Sequence, residues 1–124
     1  MQLRVRRGVA RRAPRAIESE DHFEGRVVRA ADALGWCAFH IRFSAAATRG
    51  IHTLARHDHA CGFGWPDWVF AKPGKRLLYR ELKTEVGRVS RHQNYWHNLL
   101  RSAGEDVAVW RPSMWSQILL ELGA

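Results

Sequence analysis

The stretch that decides the fold is Gly64-Trp65-Pro66-Asp67-Trp68-Val69-Phe70, followed after a basic turn by Leu77-Leu78-Tyr79-Arg80-Glu81-Leu82-Lys83. Lys72-Pro73-Gly74-Lys75 separates the two runs, and Pro-Gly between β-favouring segments predicts a hairpin. Charges stand where a buried strand is ordinarily apolar: Asp67 opens the first strand, and Glu81 and Lys83 close the second. Side chains alternate across a strand, so Glu81 and Lys83 share one face while Leu82 points to the other. Hairpin pairing sets the start of the first strand beside the end of the second, which brings Asp67 to the same face. Two carboxylates and an ammonium are therefore expected to converge at one end of a sheet. Buried charge is costly unless it is paired or holds a metal ion, and these residue types favour a divalent cation.

The totals narrow the partner. A chain of 124 residues with 46% apolar residues and six tryptophans forms one domain with a real core. No apolar run approaches the ~20 residues of a membrane helix, and the N-terminus lacks a signal-peptide core. A soluble, intracellular protein is expected, with no membrane partner and no small-molecule cofactor. Cys37 and Cys61 make no disulfide framework. The net charge of +8 favours a polyanion, bound through phosphate contacts and counterion release. Residues 1–16 carry Arg4, Arg6, Arg7, Arg11, Arg12 and Arg15 and no acid, and are expected to form a basic arm ahead of a folded domain at 17–124.

Upstream of the hairpin, helical spacing runs from Ser19 to Leu34. Ser19 is the N-cap, Glu20 and Asp21 occupy the first turn, and Phe23, Val27, Ala30, Ala31 and Leu34 form the apolar stripe. Trp36–Phe43 reads as a strand in which His40 packs. His57, His59 and Cys61 are zinc-ligand types, but without the paired spacings of structural zinc motifs their segment reads as a loop. Downstream, Ser90 and Gln93 form a capping box at the head of a second helix. Tyr95, Trp96, Leu99, Leu100 and Ala103 are its expected buried stripe; Arg91, Asn94, Asn98 and Arg101 form a polar face suited to a phosphate backbone. Val107–Trp110 is a further strand, and Pro112 and Ser113 start a last helix lined by Met114, Ile118, Leu119 and Leu122. The order α, three strands, α, strand, α defines a single α/β unit.

The ordered residues carry a resemblance. Glu20-x-x-Phe23, Gly35-Trp36, Pro66-Asp67, Glu81-Leu82-Lys83-Thr84, Gly87-Arg88, His92-Gln93 and Trp110-Arg111-Pro112-Ser113 together resemble the VRR-NUC family. These virus-type replication-repair nucleases belong to the PD-(D/E)xK superfamily, and the likeness spans residues 19 to about 120. It implies a restriction-endonuclease-like αβββαβ core with a short C-terminal helix. It also implies an endodeoxyribonuclease dependent on Mg²⁺ or Mn²⁺, acting on branched DNA such as four-way junctions in repair, and working as a homodimer. By the same resemblance Asp67, Glu81 and the Leu82 carbonyl bind the metal, Lys83 is the catalytic lysine, and Glu20 and Gln93 complete the site. Arg88, Arg91, Asn94 and Arg101 are the expected DNA contacts. The chain departs from the pattern at Trp68, where a smaller apolar residue is common, and at Met114, where an acid often stands.

The chemistry agrees from the residues alone. Phosphodiester cleavage needs a positioned water, stabilised charge on the transition state and help for the leaving oxygen. A hard cation held by oxygen ligands supplies these, and an adjacent lysine orients the water or takes its proton. Two alternatives stand beside this reading: a site-specific restriction-type nuclease, and a non-catalytic basic nucleic-acid-binding module.

Overall fold

The computed structural model describes residues 16–41 and 64–124. The arginines of the basic arm up to Arg15, the end of the expected first strand at 42–43, and His57, His59 and Cys61 lie outside the described residues.

Strand β1 (Cys37–His40) pairs antiparallel with β2 (Trp68–Ala71), β2 pairs antiparallel with β3 (Leu78–Leu82), and β3 pairs parallel with β4 (Asp106–Trp110). The result is one four-stranded mixed sheet in the order β1-β2-β3-β4. A parallel neighbour needs a crossover, and helix α2 (Arg91–Ser102) supplies it between β3 and β4. Helix α1 (Glu20–Ala33) precedes the sheet, and a 3₁₀ turn at Pro112–Met114 leads into α3 (Trp115–Glu121). The molecule is thus mixed α/β, in the element order expected from the sequence. Among the described residues no helix is long and apolar enough to cross a membrane.

The hairpin turn follows its chemistry. Lys75 N–H donates to Lys72 O at 3.0 Å, with Pro73 and Gly74 in the centre. Gly74 has φ +75°, the conformation that the third position of a type II turn demands. Antiparallel partners share a face, so Trp68 and Phe70 lie with Leu78, Arg80 and Leu82, while Val69 lies with Tyr79 and Glu81. On the first face Phe23, Val27 and Ala31 of α1 meet Phe70, Leu78, Leu82 and Trp110, closed by Ile118 and Leu122. Trp36 joins this core and donates its indole N–H to Leu122 O at 2.9 Å.

Helix α2 covers the opposite face and corrects the expected stripe. Its buried residues are His97 and Leu100. Tyr95 and Leu99 are each 43% exposed, and Ala103 is exposed as well. The inward positions include Gln93 and His97, one turn apart, because this part of the sheet presents polar groups. An apolar-inward rule assigns that face wrongly.

Candidate active site

The β2–β3 register carries Asp67 to Glu81. Val69 pairs with Tyr79, so two residues back along β2 and two forward along β3 reach the same face at one end of the sheet. Asp67 is fixed on both sides by its backbone: its N–H donates to Glu81 Oε2 at 3.2 Å, and its carbonyl accepts from Ile41 N–H at 2.7 Å. The residues before it are shaped for one purpose. Gly64 has φ +85°, and a Cβ there would fall 2.1 Å from the His92 carbonyl carbon. Only glycine lets the Gly64-Trp65-Pro66-Asp67 segment lie against the first turn of α2. Trp65 then sets its ring edgewise to Tyr79 and Trp96, with centroids 6.0 and 5.0 Å away.

Glu81 is 1% exposed. Its Oε1 accepts from Gln93 Nε2 at 2.7 Å and lies 3.6 Å from Lys83 Nζ. Gln93 serves two purposes, because its Oε1 also accepts from Ser90 N–H at 2.8 Å while Ser90 Oγ accepts from Gln93 N–H at 3.2 Å. The capping box therefore holds the amide that holds Glu81. These contacts do not offset the charge. Burial first, and the adjacent Asp67 carboxyl second, push the Glu81 carboxyl up to about 8, with Lys83 acting in the opposite direction.

A second set of oxygens adjoins the first. Carboxylate oxygens of Glu20, Glu24 and Asp67 lie within 4.8 Å of one another. Burial, then the charges of Glu24 and Asp67, raise the Glu20 carboxyl above its ordinary value, and Lys83 opposes them. Asp67 thus stands between Glu81 on the sheet and the two glutamates of α1. Glu24 Oε1 also accepts from Trp68 Nε1 at 3.4 Å. Glu24 was not among the residues expected from the sequence. Its position one helical turn after Glu20 is the signal that finds it.

The remaining expected residues divide. The Leu82 side chain is fully buried. Lys83 N–H donates to Trp110 O at 3.0 Å, so by strand alternation the Leu82 carbonyl faces the β2 side, past the Trp68–Arg80 pair. Arg88, Arg91 and Asn94 are exposed around the start of α2. Arg101 lies ten residues beyond Arg91, about 15 Å along the helix, and donates its Nε to Val107 O at 3.1 Å. That bond ties it to the start of β4 instead of to the carboxylate end. Trp110-Arg111-Pro112-Ser113 buttresses the loop after Lys83: Arg111 donates to Thr84 O, and Ser113 N–H to the Glu85 carboxylate. His97, also missed, is 2% exposed and has no partner at Nε2 among the described residues. Burial, Arg101 and Lys83 lower its imidazole to about 4, so it is neutral.

No family model, curated protein or solved structure matches this chain.

Proposed function

We propose that the chain is a divalent-metal-dependent endodeoxyribonuclease with a PD-(D/E)xK core of the VRR-NUC kind, cutting branched DNA. One observation carries the reading: a carboxylate in the sheet is buried, held by an amide and an ammonium, and left short of positive charge beside a second carboxylate. A hard cation corrects that deficit, and the donors present are the oxygens that Mg²⁺ takes. Asp67 and Glu81 would hold it, with Glu20 and Glu24 across from them. Such an ion lowers the pKa of its water and stabilises charge on phosphate oxygens.

The chain's own residues do the rest. Gln93 and the Asp67 N–H orient the two oxygens of Glu81. Lys83, 18% exposed at the rim, aims its ammonium toward the same carboxylate and is placed to orient a water at the scissile phosphate. Arg88, Arg91 and Asn94 give the phosphate backbone a basic and polar approach.

The test is a panel of linear, flapped and four-way DNA incubated with the protein in Mg²⁺ or EDTA. Cleavage of branched forms in Mg²⁺ alone is expected, with Asp67→Ala and Lys83→Ala each reducing the rate about a thousandfold while leaving the fold intact. Full activity of either variant contradicts the assignment. Cleavage at one sequence in linear DNA supports the restriction-type reading, and binding without cleavage the non-catalytic module.

A further inference from the structure

A pocket of about 290 Å³ opens beside the carboxylates, between the first turns of α1 and the β1–β2 pair, lined by Asp21, Glu24, Gly25, Val28, His40 and Trp68. Its sheet-side wall is aromatic. The His40 and Trp68 rings stack with centroids 4.4 Å apart and planes 10° from parallel. The bond from Trp68 Nε1 to Glu24 fixes the indole further. Its helix-side wall contains Gly25, an unusual residue for the interior of a helix, where glycine is disfavoured. Packing does not require that glycine: a Cβ at Gly25 would meet only the Arg29 guanidinium, at 3.1 Å, the far end of a flexible side chain. The missing side chain keeps the pocket open. Asp21 stands exposed at its edge, and its carboxylate makes no hydrogen bond or ion pair among the described residues.

We infer that this pocket takes one unpaired nucleobase of the DNA substrate, adjoining the bond to be cut. The inference rests on the nuclease reading and deepens it by naming what the enzyme recognises. An aromatic wall binds the base plane irrespective of sequence. The acidic edge repels phosphate and accepts from an exocyclic amino group, the way Asp or Glu reads cytosine N4. Because Glu24 belongs both to this pocket and to the Glu20–Glu24–Asp67 cluster, a nucleotide seated here has its phosphate beside the carboxylates. Only an unpaired base reaches such a pocket without disrupting a duplex, so the pocket gives the site a preference for junctions, flaps and other DNA with unpaired positions. Cytosine and adenine offer the amino group; thymine does not.

The test measures binding of short single-stranded oligodeoxycytidine and oligodeoxythymidine to the full chain in Ca²⁺, by tryptophan fluorescence and by competition. Wild type is expected to bind the cytidine oligomer about tenfold more tightly. Asp21→Ala, which removes the acceptor, should abolish that preference and retain the thymidine affinity. Gly25→Leu, which fills the pocket, should weaken both by about tenfold, whereas Gly25→Ala should behave as wild type. Circular dichroism and thermal melting establish that each variant is folded. Equal affinity of wild type for the two oligomers, or undiminished binding by folded Gly25→Leu, overturns the inference. A wild-type protein that shows the binding pattern but cleaves no DNA in Mg²⁺ refutes the nuclease reading and leaves the base pocket standing.

Discussion

Arg80 and Glu81 are neighbours on β3, both buried, and they point to opposite faces of the sheet. Their surroundings differ in kind. The charge of Arg80 is matched within the fold, although its Nε has no hydrogen-bond partner among the described residues: Nη2 meets Asp106 Oδ1 at 2.9 Å and Glu121 Oε1 at 3.2 Å, Nη1 donates to two carbonyls, and the guanidinium lies 4.9 Å from the Trp110 ring centre. Glu81 has one amide, one backbone N–H and a lysine at 3.6 Å, and it faces Asp67. The arginine's charge is answered by the chain itself. Among the described residues the glutamate's charge is not answered in this way. Under the proposed function the matched charge holds the fold together and the one left short would hold a cation.

Exchanging the two roles should give the largest effects. Glu81→Gln is expected to reduce Mg²⁺-dependent cleavage about a thousandfold while leaving the metal-free protein at least as stable, since it removes a disfavoured buried acid. Arg80→Leu should do the reverse. It removes the cation beside Asp106 and Glu121, which stay partly solvated, and costs about 1–2 kcal/mol in urea unfolding, yet the cleavage rate per folded molecule should stay unchanged. A loss of activity in folded Arg80→Leu would break the comparison.

The comparison sharpens with pH. Between 4.5 and about 8 folded Glu81 keeps a proton that the unfolded chain has lost. Stability in EDTA should therefore be greatest below 4.5 as far as this group is concerned, and fall as pH rises toward 8. Glu81→Gln should remove that slope, and saturating Mg²⁺ should oppose it by binding the ionised form. Urea unfolding across the pH range measures both.

A smaller effect of opposite sign belongs to His97. Its imidazole sits near 4 in the fold against an ordinary 6.5, so the unfolded chain takes up the proton first. The contribution is present above 6.5 and is lost as pH falls toward 4. His97→Gln should flatten the acid limb of the same unfolding series.

Sequence pattern was informative wherever local chemistry decides the outcome. Pro73-Gly74 marks the turn, Ser19 and Ser90 mark two helix starts, and strand alternation places Asp67, Glu81 and Lys83 together. Pattern was least informative where one element's inward face depends on what another presents. The face of α2 could not be assigned from hydropathy, because the sheet beneath it is polar at Glu81 and therefore draws Gln93 inward in place of an apolar side chain. Arg80 illustrates the same limit. Its partners come from β4 and α3, 26 and 41 residues further on, so sequence offers no local sign that its charge is matched. Glu24 escaped notice because an acid in the second turn of a helix is ordinary until Trp68 and Asp67 are brought against it.

The most direct measurement is anomalous diffraction from crystals soaked in Mn²⁺. The account predicts an ion about 2.1 Å from carboxylate oxygens of both Asp67 and Glu81, absent from crystals of Glu81→Gln. Mn²⁺ bound elsewhere while the Glu81 pocket stays closed on Gln93 and Lys83 would show that this glutamate, like Arg80, serves only the fold.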